Sequence, residues 1–256
     1  MTSPRETAVT RVGRRSGRAR PGRAGLLAVG CAGAAAVLLA ACSSGSGPAA
    51  PHTVSLLADG HGSATLDVLT GTTALAIGVA HFGPGGSLLR VVTPPGDQAA
   101  RLTVSQPSGA GDAEVGLSAN GASAVSVTLN ADVSWQLNLA GGASRTDIDL
   151  RGGHVTGVTF SAGVSDISLA LPVPGGSVPV RLAGGASVFD LSLPLGVPAR
   201  VTAGGGAGEV SLLGQEHTGV AGGSAYTTAG WAPGAAGFDI DASSGASTIT
   251  VTARSS

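Results

Sequence analysis

The chain has no lysine, two cysteines, one methionine (its first residue), and aromatic side chains at only 3% of 256 residues. Each scarcity excludes something. The 14 cationic side chains are all arginine, and seven of them precede residue 24. Residues 42–256 therefore set seven Arg against 14 carboxylates, a net of −7, and an acidic chain without lysine is a poor match for nucleic acid or anionic headgroups. With so few aromatics, a core has to be assembled from Val, Leu, Ile and Ala in thin, regular layers. A sustained 3.6-residue periodicity is also missing after residue 52. Short alternating apolar runs bounded by Gly and Pro take its place, which predicts an all-β chain.

What is present begins with an ordered N-terminus. Seven arginines (Arg5 to Arg23) are followed by 18 uncharged residues, Ala24 to Ala41, rich in Ala and Gly. This is the layout of an export signal, with a retained single-pass anchor as the alternative near the lower length limit. Arg14-Arg15 lacks the apolar residues expected after a twin-arginine pair, so general secretion is the expectation. Leu39-Ala40-Ala41-Cys42 resembles the lipobox of bacterial lipoproteins, in which cleavage before the cysteine leaves it carrying lipid. The resemblance implies removal of residues 1–41, lipidation of Cys42, and a cell-membrane location on the extracytoplasmic face. Two or three acyl chains at about 0.8 kcal/mol per buried CH₂ would make that anchor stable. Cys31 lies in the removed part, so no thiol is left for a disulfide, a nucleophile or a metal. Residues 42–51, rich in Ser, Gly, Pro and Ala, read as a flexible tether.

The rest repeats. Gly-Ala-Ser or a near variant ends at Ser123, Ser144, Ser165, Ser187, Gly208 and Ser247, at spacings of 21, 21, 22, 21 and 39 residues. Two and four residues further on stand Val125/Val127, Thr146/Ile148, Ile167/Leu169, Phe189/Leu191, Val210/Leu212 and Ile249/Val251, one face of a strand. A preceding strand turns inward Trp135/Leu137/Leu139, Thr156/Val158/Phe160, Val178/Val180/Leu182, Ala199/Val201/Ala203 and Phe238/Ile240/Ala242. Two strands per 21-residue unit, joined at a glycine corner, predict a β-solenoid of stacked coils; a β-sandwich of hairpins is the alternative. Residues 52–106 are expected to form an N-terminal β segment continuous with a repeat domain at 107–256. The 39-residue gap is expected to hold an irregular insertion, with Gly214–Gly237 a loop crossing the face or end.

Leu139-Ala140-Gly141-Gly142-Ala143-Ser144, Val178 to Ser187 and Val197-Pro198-Ala199-Arg200-Val201 resemble the toastrack or "putative adhesin" domains of bacterial envelope proteins, over roughly residues 55–256. The resemblance implies a repeat β architecture and an envelope role. It transfers no catalytic residue.

No catalytic or metal-binding pattern emerges. His52, His61, His81, His154 and His217 are scattered without zinc spacing, no G-x-S-x-G elbow occurs, and no cofactor is expected. Asp147-x-Asp149 and Asp239-x-Asp241 each put two carboxylates on one strand face. The outward positions Ser126, Asp147, Ser168, Asp190 and Ser211 are expected to align into a polar column that a glycan could hydrogen-bond. Trp135 is expected inside the core, and Trp231, beside Tyr226 in the irregular segment, at the surface. The expected function is a non-catalytic interaction, adhesion or envelope-stress module with a membrane protein or cell-wall polymer as partner. A polysaccharide-processing enzyme or a sensor subunit is the alternative. Carboxyls of a retaining glycosidase stand about 5 Å apart, whereas alternate rungs of a solenoid stand nearly 10 Å apart.

Overall fold

The computed structural model describes residues 49–105 and 112–255. The lipobox, Cys42 and the tether as far as Pro48 lie outside the described residues, as does Gly109-Ala110-Gly111. The described residues contain no helix. Strand β1 (His52–Leu57) is followed by a complete coil, β2 (Ser63–Val68) and β3 (Thr72–Ala80), and then by β4 (Ser87–Thr93) and β5 (Arg101–Ser105). Four further coils follow in order: β6 (Ala113–Ser118) with β7 (Ala124–Asn130), β8 (Ser134–Leu139) with β9 (Ala143–Asp149), β10 (His154–Phe160) with β11 (Val164–Ala170), and β12 (Ser177–Leu182) with β13 (Ala186–Pro194). Next come the coil of β14 (Ala199–Ala203) and β15 (Ala207–Leu212), then β16 (Gln215–Val220), β17 (Ser224–Thr227), and a last coil of β18 (Gly237–Asp241) and β19 (Ala246–Arg254).

These strands build two sheets, ordered β1-β4-β7-β3-β9-β11-β13-β19-β15-β16 and β17-β14-β18-β12-β10-β8-β2-β6-β5. Each coil gives one strand to each sheet, so the architecture is a β-solenoid. Neighbouring coils pair in parallel register, for example Ile167 with Thr146 and Phe189. The inward side chains form one continuous core, in which Trp135, Phe160, Phe189 and Phe238 are wholly buried. Phe160 and Phe189 meet edge-on across the two sheets, with centroids 6.0 Å apart.

The coils do not stack in sequence order. Coils β6–β7, β8–β9, β10–β11, β12–β13 and β14–β15 carry the even repeat. The β2–β3 coil is inserted between the first and second of these, and the β18–β19 coil between the fourth and fifth. Sequence spacing specifies the length of a coil, but it does not specify which coil lies above it. Ala113, Val115 and Leu117, readable as a shortened repeat, form the second-sheet half of the coil completed by β7.

Both rod ends are closed by antiparallel strands. At one end β4 pairs with β7, β1 with β4, and β5 with β6. At the other, β16 pairs with β15 and β17 with β14. Residues 214–237, expected as a loop, thus hold two cap strands, and His217 stacks on Tyr226 at 4.1 Å where the two caps meet. The outermost strands are thus β1, β5, β16 and β17, only 6, 5, 6 and 4 residues long, and edges this short are poor templates for pairing with other chains.

The glycine corners serve close approach. A Cβ on Gly71 would lie 2.7 Å from the carbonyl oxygen of Gly142, and one on Gly205 2.5 Å from the amide nitrogen of Gly245. Neither position has positive φ, so it is the distance between coils that demands glycine here. One inward position differs from expectation. A bulge between Val155 and Gly157 shifts the register, so Val155 pairs with Trp135 and takes the buried place while Thr156 is extruded to solvent.

Candidate interaction faces

The outward column exists. Ser126, Ala76, Asp147, Ser168, Asp190, Thr250 and Ser211 stand on successive rungs of the first sheet, in that spatial order. The inserted coil β2–β3 puts Ala76 between Ser126 and Asp147, which interrupts the polar run. Asp147 is not a free carboxylate. Arg145, two residues back on the same face, donates to it at 2.8 Å, and that hydrogen bond raises the guanidinium's pKa. Arg151 binds Asp149 in the same way and holds its carboxyl below the usual range. Asp147 and Asp190 are two rungs apart, nearly 10 Å by strand spacing.

On the second sheet, Asp67, Asn138, Thr159, Arg181, Asp241 and Thr202 align across successive rungs. Asn138 donates to Asp67 at 2.8 Å. At the next position along the strand, Arg200 makes a forked pair with Asp239 at 2.8 and 2.6 Å. The same guanidinium lies 4.7 Å over the ring of Trp231. Trp231 is half-buried, and one of its faces is occupied by this cation. Of the two aspartate pairs noted in the sequence, each therefore has one or both members held by arginine. Trp135 lies in the core with its indole N–H donating to the carbonyl of Asn130 at 2.9 Å.

A further column had its residues in plain view. The serines that end each Gly-Ala-Ser were useful only as corner markers, yet Ser123, Thr73, Ser144, Ser165, Ser187 and Ser247 are all exposed and fall on successive rungs. The signal was the repetition of the third letter where the strand pattern did not need it. Thr73, Ser123 and Ser144 border a shallow open groove floored by corner backbone that runs past Gly71, Gly121, Gly142 and Gly163, and Ser247 borders another past Gly185, Gly205 and Gly245. Ser123 is tied down: Asp97 accepts from both its amide and its hydroxyl at 2.7 Å, and these bonds lower the Asp97 pKa.

On the opposite corner, Val173, Leu195 and Leu213 are exposed by 70, 73 and 45%. Between them Arg254, at the end of β19, reaches back across β13. It donates to the carbonyl of Ser192 and, one coil further, to that of Leu171, each at 2.5 Å.

Histidines do not converge. His81 meets Asp132 at 2.9 Å and His217 stacks on Tyr226. Among the described residues, no three His, Cys, Asp or Glu come together to hold a metal ion.

Among known proteins, a family profile described as the N-terminal domain of toast_rack, DUF2154, matches residues 60–192, just over half of the chain. Those residues include both strands of the inserted β2–β3 coil and end inside β13. The crystal structure at 1.95 Å of a "putative cell adhesion protein" from Clostridium sporogenes ATCC 15579 aligns with a TM-score of 0.57 and 17% identity, over 79% of this chain and 99% of that one. The two share the fold. No curated protein matches the chain.

Proposed function

The chain belongs to the family of the N-terminal domain of toast_rack, and from that premise we propose that it is a lipid-anchored surface protein whose solenoid is a non-catalytic interaction or adhesion module of the envelope. Lipid on Cys42 holds it to the outer face of the cell membrane, and residues 43–51 let the rod stand clear of the bilayer. The rod engages a membrane protein or a wall polymer along its length.

The observation that carries this reading is the shape of the displayed surface. Both ends of the core are closed by antiparallel strands, so what remains is two long flat sheets with aligned polar columns and a corner of open, glycine-floored grooves. Solenoids use extended surfaces of this kind for recognition. The carboxylates weigh against the enzymatic alternative. Asp147, Asp149 and Asp239 are each held by an arginine. Asp97 and Asp149, whose pKa values are displaced, move downward, opposite to the direction a general acid needs. The name carried by the Clostridium sporogenes protein supports adhesion as the kind of task.

The test is fractionation of cells expressing the full chain or its Cys42→Ser variant. The parent is expected in the detergent phase of the membrane fraction, with a lipid-modified N-terminal peptide by mass spectrometry, and the variant shifted out of it. Identical partitioning of the two would remove the anchor from the account.

A further inference from the structure

Of the two tryptophans in this chain, Trp135 fills the core. Trp231 is held at the surface instead, where solvent reaches part of it, and several bonds fix it there. Thr228 donates its N–H to the carbonyl of Ala199 at 2.9 Å, and its hydroxyl accepts from the Ala199 N–H at 2.8 Å. The Trp231 N–H returns to the carbonyl of Thr228 and closes a turn. The indole then lies against the Arg200 guanidinium, which the fork to Asp239 holds in turn.

Beside this ring lies a charge pattern that the fold leaves unused. Asp241 stands two residues beyond Asp239 on β18, on the same side of the sheet and about 7 Å further along. Its rung neighbours are Thr202 on β14 and Arg181 on β12. Arg181 is exposed and Asp241 half-buried. Neighbouring strands are about 4.8 Å apart, yet among the described residues neither Arg181 nor Asp241 forms an ion pair. The contrast with Arg200 and Asp239 is direct, because there opposite charges on adjacent strands close a fork. Asp241 leans towards the glycine corner: a Cβ on Gly204 would lie 3.4 Å from its Oδ1. The next residue, Gly205, lines the groove that also runs past Gly185 and Gly245. An indole, a carboxylate and a guanidinium thus share one patch, and the carboxylate stands at the mouth of a groove.

We propose that Trp231, Asp241 and Arg181 form a subsite for a pyranose unit of a wall glycan, whose chain continues into the groove past Gly205 and Gly245. The inference rests on the reading of the rod as a module that engages wall polymer, and it names the part that recognises sugar. A pyranose has an apolar C–H face and a rim of hydroxyls. The indole covers the face, the Asp241 carboxylate accepts from neighbouring hydroxyls, and Arg181 donates to an oxygen on the ring or its substituent. Hydrogen bonds in which one partner is ionised are the strong ones. Because Thr228 and Arg200 fix the indole before any ligand arrives, little freedom is lost there on binding.

The experiment is calorimetric titration of the full chain in detergent micelles with two probes: bacterial wall glycan strands stripped of their peptides, and the released peptides. The glycan strands are expected to bind and to change the tryptophan emission. Trp231→Ala should abolish that optical change, since the remaining Trp135 is wholly buried. Trp231→Ala and Asp241→Asn should each weaken binding at least about tenfold, as loss of a central anchor does. Trp231→Phe should keep most of the affinity, and Glu114→Gln, near the far end of the same sheet, should change nothing. Urea midpoints measured alongside show that each variant is folded. Glycan binding that survives both Trp231→Ala and Asp241→Asn unchanged would overturn the subsite and leave the wall-polymer reading standing. Absence of glycan binding by the parent would overturn both, and binding of the peptides alone would replace sugar with peptide as the ligand.

Discussion

Gly205→Ala is the most exposing test of how the coils stack. Gly205 is solvent-exposed and does not occupy the left-handed region, so on exposure alone alanine would be harmless there. The geometry says otherwise. The new methyl would stand 2.5 Å from the nitrogen of Gly245, 2.6 Å from the carbonyl carbon of Ser244 and 2.9 Å from its oxygen. Ordinary contact begins near 3.4 Å, so the corners have to separate by about 0.9 Å. The obstacle is backbone rather than a movable side chain. It is pinned by bonds from Gly205 N–H to the carbonyl of Ala242 and from Ala246 N–H to that of Gly206. Overpacking against such a fixed neighbour costs about 2–3 kcal/mol, or roughly 5–10 °C in Tm for a domain of this size. Gly175→Ala is the internal control. A methyl on Gly175 would have no atom within 4 Å, and this residue has no positive φ, so restriction of the unfolded chain should stabilise by about 0.4–1 kcal/mol. The assay is urea unfolding of both variants beside the parent. If Gly205→Ala unfolds at the same denaturant concentration as Gly175→Ala, close approach is not what the corner glycines provide.

Other consequences are independent of that one. Thr146 is 1% exposed, faces the core between Leu75 and Ile167, and its hydroxyl has no partner among the described residues. Thr146→Val should therefore stabilise by about 1 kcal/mol, as removal of an unsatisfied buried hydroxyl does, and a loss of stability on thermal unfolding would show an unseen partner. Asp97 has a folded pKa below its ordinary 3.8 because Ser123 donates two hydrogen bonds to it. Its contribution is complete above that ordinary value and disappears as pH falls through the lower folded value. The stability gap between the parent and Asp97→Asn should be constant at neutral pH and close in acid, and a gap that widened on acidification would reverse the assigned sign. Trp231→Ala removes the ring under Arg200 but leaves the Asp239 pair, so stability should fall by no more than about 1 kcal/mol. A larger loss by calorimetry would mean that the stack closes the rod end.

The inward pattern of the coils was legible almost residue by residue, because a two-residue period and a glycine corner leave little freedom once a strand is half-buried. Phe189/Leu191, Val210/Leu212 and Ile249/Val251 all lie where the alternation puts them. The single slip, Thr156 for Val155, comes from a bulge, and a bulge adds a residue without a compositional mark. Coil order was not legible. Ala186 meets Ala246 with the same local pattern it would use to meet Ala207, so alternation cannot say which neighbour is present. The caps were hidden for a related reason: β16, with Gln215, Glu216 and Gly219, has no apolar alternation to report because it covers an end. At the surface, the column through Asp147 was foreseeable, but the pairing of Asp147, Asp149 and Asp239 with arginines was not drawn from it. Arg145 and Arg151 stand two residues from their partners, a same-face spacing that was in the sequence to be read, whereas Arg200 meets Asp239 only because β14 lies beside β18.

The most direct test of the central claim is capture of envelope material on the immobilised chain, with protein mass spectrometry and glycan analysis of the eluate. The account predicts specific recovery of a membrane protein or a wall polymer, released unaltered and diminished when Ser144, Ser165 and Ser187 or the Asp190 column are replaced. Recovery of a polymer shortened or chemically changed by contact with the chain would contradict it and make this solenoid an enzyme.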